Sequence, residues 1–239
     1  HHGTGDWSGR IVSLLPVTWV QDWPIPGEVL PQNIGTMKWD GKIPFKHTEK
    51  LSIKRSDDFD EDCLAPQWQW NYQPRKDYFS LTERPGWLRL KAYRPLETNN
   101  LLKAGNTLTQ RTFRKQNNDV TIKMDISNMQ DGQKNGLCHF SSQHSAIGIV
   151  KEEDACYLEY RKNGNITKGI QIHSEFVWFR TEWGMDGKSQ YYYSLDGDNF
   201  LPFGEKYQLT WGNYRGDRIG IYCFNDKKET GSVDVDYCH

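Results

Sequence analysis

The 239 residues leave room for one large domain or two small ones. A formal charge of −1 gives no electrostatic drive toward nucleic acid or an anionic membrane, so neither is expected as a partner. Apolar residues reach only 36% while aromatics make up 13%, a balance shared by large β-sandwiches and by proteins that stack exposed rings on sugars.

The chain opens with a glycine-rich polar loop, HHGTGDWSGR, that runs straight into an apolar stretch, 11–20, read as a strand. A loop feeding a buried strand in this way belongs in the middle of a domain. Residues 25–53 carry Pro26, Pro31 and Pro44 with scattered glycines and read as an irregular linker. From Ser56 onward, short segments of period two recur: 87–93, 119–126, 146–152, 156–162, 169–174, 175–183, 189–197, 207–214, 218–224 and 231–237. In 119–126 the alternation puts Val120, Ile122, Met124 and Ile126 on one face. Turn signals separate the segments: Asn163-Gly164, Asp186-Gly187 and Asp196-Gly197. No segment after residue 53 carries a helical period. Many alternating strands at this spacing predict an all-β protein, an antiparallel β-sandwich of the jelly-roll type with two sheets of about six strands each.

No run of about 18 apolar residues exists to form a transmembrane helix, and no signal peptide starts at residue 1. The compartment stays open between secreted, periplasmic and cytoplasmic. The five cysteines are widely spaced and form no metal-binding pattern. Cys138 and Cys223 lie in apolar runs and read as buried thiols, with one disulfide left open.

A sandwich with a catalytic site of its own would carry several carboxylates on one face of a strand. Glu175 and Glu182 are seven apart and face opposite sides of a regular strand. Asp234 and Asp236 share a face, but no third carboxylate follows. The strands are therefore read as non-catalytic. Trp68, Trp70 and Tyr72 alternate, and serve either as core and docking contacts or as a sugar platform.

Two sets of residues carry a family likeness. His1, Trp7, Gly9-Arg10, Pro16-Val17, Trp19 and Trp23-Pro24 resemble, in order and spacing, the last blade of the five-bladed β-propeller of glycoside hydrolase family 43. Further on, DDF (57–59), QWQWNYQP (67–74), FSLTERPGWLRL (79–90), LTQRTF (108–113), NGLCHF (135–140), YSLDGDNF (193–200) and the terminal VDVDYCH resemble the concanavalin-A-like module that follows that propeller in β-xylosidases and α-L-arabinofuranosidases. Together they cover almost the whole chain.

The resemblance implies three parts: the end of a truncated catalytic propeller (1–24), a linker (25–53) and a concanavalin-A-like sandwich (54–239). It implies an inverting glycosidase that removes terminal xylose or arabinose from hemicellulose, with xylo- or arabino-oligosaccharides and the propeller of the same polypeptide as partners. Inversion takes an acid and a base set far enough apart to admit a water. In the family these come from earlier blades, so none is assigned here and this stretch alone is expected to be inactive. Arg10 falls where the family has an arginine that points into the sugar pocket. His1 falls near the propeller axis, and Trp7 reads either as a pocket-rim residue or as core packing. The loop 141–145, with Phe140 or His144 at its tip, is the expected contact with the active-site mouth, which places His144 among the substrate-binding residues. The acidic run that includes Asp58, together with Asp236 of the last strand, reads either as a structural Ca²⁺ site or as a solvated turn. The runner-up reading is a non-catalytic carbohydrate-binding module.

Overall fold

The structure, a computed structural model, describes residues 5–10, 12–42, 54–212 and 215–239. The chain divides into two compact units. One comprises His1–Gly5 with Arg10–Ile53, the other Asp6–Gly9 with Lys54–His239.

In the first unit, β1 (Val17–Val20) and β2 (Trp23–Pro26) form an antiparallel hairpin. Gln21 and Asp22 turn it with φ of 50° and 61°, the left-handed pair that matches strand twist in a two-residue loop. A second pair, β3 (Val29–Leu30) and β4 (Ile34–Gly35), follows. The strand expected over 11–20 is thus confined to Val17–Val20 in its regular part, and strand pairs run into the stretch expected to be irregular. Of the hairpin's residues Ile25 is buried, whereas Trp19 and Trp23 are 68% and 73% exposed.

The second unit is the sandwich, and every pairing in it is antiparallel. Its strands are β5 (Gln69–Trp70), β6 (Phe79–Ser80), β7 (Leu88–Lys91), β8 (Thr107–Arg111), β9 (Asn117–Asp125), β10 (Gln133–Phe140), β11 (His144–Glu152), β12 (Ala155–Lys162), β13 (Asn165–Ile172), β14 (Phe176–Gly184), β15 (Lys188–Ser194), β16 (Leu201–Pro202), β17 (Tyr207–Gln208), β18 (Arg218–Asn225) and β19 (Ser232–Cys238). One sheet has the order β13-β12-β11-β10-β18-β8-β5. The other runs β16-β15-β14-β9-β19-β7-β6, with β17 also on β15. Strands remote in sequence are neighbours in both sheets, as a jelly roll requires.

The inner faces supply one core. Leu137, Ile147, Leu158 and Ile221 meet Leu90, Ile122, Met124, Phe179 and Val235. Met124 and Ile122 are where the alternation of β9 put them. The Asn163-Gly164 turn joins β12 to β13, with φ of 49° and 90°.

The seven-stranded sheet is also covered on its outer face. Leu101 and Ala104, around a short 3₁₀ turn (Leu101–Lys103), bury themselves on Cys138, Phe140, Ala146, Tyr222 and Phe224. The Asn71 amide pins this covering segment by donating to the carbonyls of Leu102 (3.1 Å) and Ala104 (3.0 Å). Gly136 and Gly148 face each other across β10 and β11, and a side chain on Gly148 would collide with the Tyr222 hydroxyl. All five cysteines are free. Burial pushes the Cys223 thiol up to about 12, so it is an inert core group.

Candidate functional site

The end of the sandwich carrying the β14–β15 turn receives Asp6–Gly9. Asp6 and Gly9 close a small bridge on each other. Burial pushes the Asp6 carboxyl up, but two bonds from Ser8 and one from Arg114 Nη1 (2.8 Å) outweigh it and hold the group below its usual range. The Trp7 ring enters the sandwich core and is 8% exposed. Its carbonyl accepts from Asp217 N–H at 2.6 Å, and the Ser8 carbonyl accepts from Arg111 Nη2 at 3.0 Å. Gly9 has φ 88°, and a Cβ there would lie 2.9 Å from the Arg215 carbonyl oxygen, so the tight passage calls for glycine.

Beneath this strap sits a polar chain. His139 Nδ1 is 2.9 Å from Asp217 Oδ1, and its Nε2 is 2.9 Å from Thr181 Oγ1. Trp183, Tyr191 and Tyr207 ring the imidazole. An acid, an imidazole and a hydroxyl in a row have the layout of a nucleophile relay. Here all three side chains are sealed in the core, so no substrate reaches the hydroxyl. Burial pushes the Asp217 carboxyl up against the pull of His139. The chain satisfies polar groups that the two sheets would otherwise bury bare.

His144 starts β11 on the outer face of the seven-stranded sheet. It lies on the floor of a cleft of about 510 Å³ between the covering segment, the β10–β11 loop and the Asn163-Gly164 turn. The loop tip, 141–143, is tied down: Ser141 Oγ bonds Thr210 Oγ1 (2.6 Å) and Ser142 Oγ donates to the Trp211 carbonyl (2.7 Å).

The family model described as the β-xylosidase C-terminal concanavalin A-like domain matches residues 56–239. The chain belongs to this family. A β-xylosidase of Formosa agariphila is 35% identical over 96% of this chain and 42% of its own length. A non-reducing end α-L-arabinofuranosidase of Bacteroides ovatus is 34% identical over 35% of this chain and 15% of its own. Among solved structures, a bifunctional GH43-CE protein of Bacteroides eggerthii superposes with a TM-score of 0.79 at 27% identity, over 99% of this chain and 31% of that one. The chain thus spans less than half the length of these relatives.

Within this β-xylosidase C-terminal domain the expected site residues scatter. His1 lies outside the described residues. Arg10 is half-buried and belongs to the first unit. Of the two readings of Trp7, the pocket rim is corrected to core packing: the ring lies in the sandwich core. Phe140 is also corrected: strand alternation turns it under the covering segment, not outward at a tip. His144 is corrected from loop tip to cleft floor. The acidic run does meet the last strand, but through Asp57, whose backbone bridges Cys238 and whose carboxylate accepts from Phe59 N–H (3.1 Å) and Trp68 Nε1 (2.7 Å). Asp58 bonds His239 Nε2 (2.5 Å) and Asp236 bonds Lys123 Nζ (2.7 Å). These carboxylates do not converge, and no group of three potential ligands exists among the described residues, so the set does not fit Ca²⁺. Trp68 is core, and Trp70 packs against it half-buried.

The His144 position carries a pH consequence. Burial, with the Arg161 guanidinium adding to it, pulls the imidazole down to about 4. A folded value below the unfolded one means that the unfolded chain takes up the proton first. The contribution to stability is therefore complete above about pH 6.5 and is lost as pH falls toward 4, amounting to about 3 kcal/mol. Urea midpoints of wild type and His144→Asn measured between pH 7.5 and 4 are expected to converge as pH falls. Parallel curves would refute the assignment.

Proposed function

We propose that this chain is the C-terminal part of a glycosidase that hydrolyses terminal xylose or arabinose from xylan or arabinoxylan. The catalytic acid and base reside in an upstream propeller, and the sandwich supports that propeller and its active-site mouth. The observation that carries this reading is the β1–β2 hairpin. Two four-residue strands cannot stand alone in water, yet this pair exposes Trp19 and Trp23 together with Val17. Such a surface fits a blade edge awaiting neighbouring strands. The lengths of the relatives and the printed names of the xylosidase and the arabinofuranosidase agree with it.

In this reading Arg10 holds vicinal hydroxyls of the terminal sugar, where its planar fork gives two parallel hydrogen bonds at any working pH. His1 stands near the propeller axis. The test compares hydrolysis of p-nitrophenyl β-D-xyloside and α-L-arabinofuranoside by this chain and by the polypeptide extended upstream through a whole propeller. The short chain is expected to be inactive and the long one active. Arg10→Ala is expected to lower kcat/KM of the long form by about 100-fold, the loss of a charge-assisted contact. Activity of the short chain alone would sink the reading.

A further inference from the structure

We propose that the cleft over His144 is a binding site for a neutral saccharide, carried wholly by the sandwich. Two independent features point to a ligand. The first is the cleft itself, whose volume of about 510 Å³ suits one or two sugar rings. The second is a polar atom of the cleft floor without a hydrogen-bond partner among the described residues, His144 Nδ1; Arg161 Nη2, outside the lining, is another such atom on the same sheet face. The two residues are 7% and 2% exposed. They share the outer face of the seven-stranded sheet, since Arg161 pairs with Ala146, two residues along β11 from His144. Groups this deep ordinarily find a partner, and an orphan marks a place where one is supplied from outside.

The walls decide the chemistry. Asn99, Asn100, Gln143 and Asn163 line it with amides; those of Asn100 and Asn163 are engaged within the protein, while Asn99 Nδ2 and Gln143 Nε2 have no partner among the described residues, and Thr98 adds a hydroxyl. No Asp, Glu, Lys or Arg lines the cleft. Arg161, outside the lining, has its charge met by Glu159, and His144 is neutral at pH 7 because it is buried. A carboxylate or ammonium ligand would find no counter-charge, whereas hydroxyls find both donors and acceptors. Leu102 gives one apolar patch for the C–H face of a ring, in place of an aromatic platform.

The walls are also held in place before any ligand arrives. The carbonyl of Asn99 accepts from Arg161 Nη1 (3.3 Å), and its N–H donates to Asp226 Oδ1 (2.7 Å). Asn163 Oδ1 accepts from His144 N–H (3.0 Å), and its amide donates to Gln143 Oε1 (3.1 Å). A preorganised cleft spends little on ordering, but without an aromatic ring the affinity stays weak, with a Kd on the order of 1 mM.

The test titrates the 239-residue chain with xylotriose, arabinotriose, cellotriose and glucuronate while recording amide NMR shifts. The choice of pentose probes rests on the glycosidase reading, which the aryl-glycoside assay tests separately. Saturable shifts at 98–102, 142–144 and 163–164 with xylotriose or arabinotriose are expected. Thr98→Trp places a ring at the mouth from an exposed position that makes no hydrogen bond. It is expected to weaken binding at least 10-fold with an unchanged melting temperature. His144→Phe removes the ring nitrogens and is expected to do the same; should it fail to fold, Thr98→Trp decides. Binding of cellotriose alone in the cleft would uphold the site while counting against the pentose reading. No saturation at tens of millimolar, shifts elsewhere, or tighter binding of glucuronate would overturn the proposal and leave solvent as the partner of the two buried atoms.

Discussion

Replacing Trp7 with alanine is expected to destabilise the sandwich by about 3–5 kcal/mol, the range for removing a large buried aromatic side chain. The residue stands far from the rest of its unit in sequence, yet its ring fills the same core as Leu137 and Phe179. Gly187, at φ 70°, passes so close that a Cβ there would lie 2.7 Å from the indole Nε1. The cavity left by the indole adds its own term to the lost transfer free energy. The strap's other ties depend on the ring holding it down: Asp217 N–H to the Trp7 carbonyl, Arg111 to the Ser8 carbonyl and Arg114 to Asp6. If the strap lifts, Asp217 loses its backbone partner while its carboxylate Oδ2 already accepts nothing. Because the chain holds two units, the readout must report on the sandwich alone. Hydrogen exchange of β10 and β18 amides against urea does so. Trp7→Phe, which keeps much of the apolar area, should recover part of the loss. A Trp7→Ala change under 1 kcal/mol would mean that the strap merely rests on the surface. The expected result bears on function as well. A sandwich that needs residues 6–9 for its stability is not a free-standing module joined by a loose linker.

The strap also shows where sequence reading stops. HHGTGDWSGR has the look of a ligand loop because glycines and a tryptophan among polar residues mark both ligand loops and tight passages between packed surfaces. No local signal says which core Trp7 enters; that depends on Gly187 and Gly216, which lie remote in sequence. The strands divide along similar lines. Alternation made β9 and β19 readable because each has one apolar face toward the core and one polar face outward. It failed for β8 (Thr107–Arg111) and β10 (Gln133–Phe140), which lie inside their sheet with the covering segment on their outer side. Their polar residues, such as Thr109 and His139, are buried and hydrogen-bonded, so no period survives. β17 shrinks to Tyr207–Gln208 although an apolar alternation continues beyond it, since pairing with β15 ends there. The His144 cleft was hidden for another reason. Its walls come from three separate stretches of ordinary polar residues, none of which is unusual until the covering segment closes over the sheet.

Substituting Asp234 is expected to cost about 3–5 kcal/mol, the penalty for breaking a buried ion pair from one side. Asp234 is 1% exposed. Its Oδ1 accepts from Arg89 Nε at 2.7 Å, and its Oδ2 from Arg89 Nη2 at 2.8 Å and Arg84 Nη1 at 2.9 Å. The first two bonds form a bidentate fork, the strongest arrangement open to this pair, and the Asp234 carboxylate raises the Arg89 guanidinium above its ordinary value. Arg84 reaches Asp125 at 2.6 Å with the same nitrogen and lies 3.7 Å over the Trp87 ring, so it cannot swing away without losing both. Alanine at 234 therefore leaves two guanidinium groups facing each other across β7 and β19 with Asp125 and Glu83 as the remaining acceptors. Removing both sides of the fork tests whether the charge or the shape matters: Asp234→Leu combined with Arg89→Met should cost much less than the sum of the single changes, because no unpaired charge stays behind. High salt should rescue little, since the carboxylate is out of reach of screening ions. A cost under 1 kcal/mol for Asp234→Ala, measured by urea unfolding at pH 7, would show that water enters and replaces the fork. The same geometry rules Asp234 out as a general acid. Both of its oxygens already accept from guanidinium groups, so neither is free to face a leaving group.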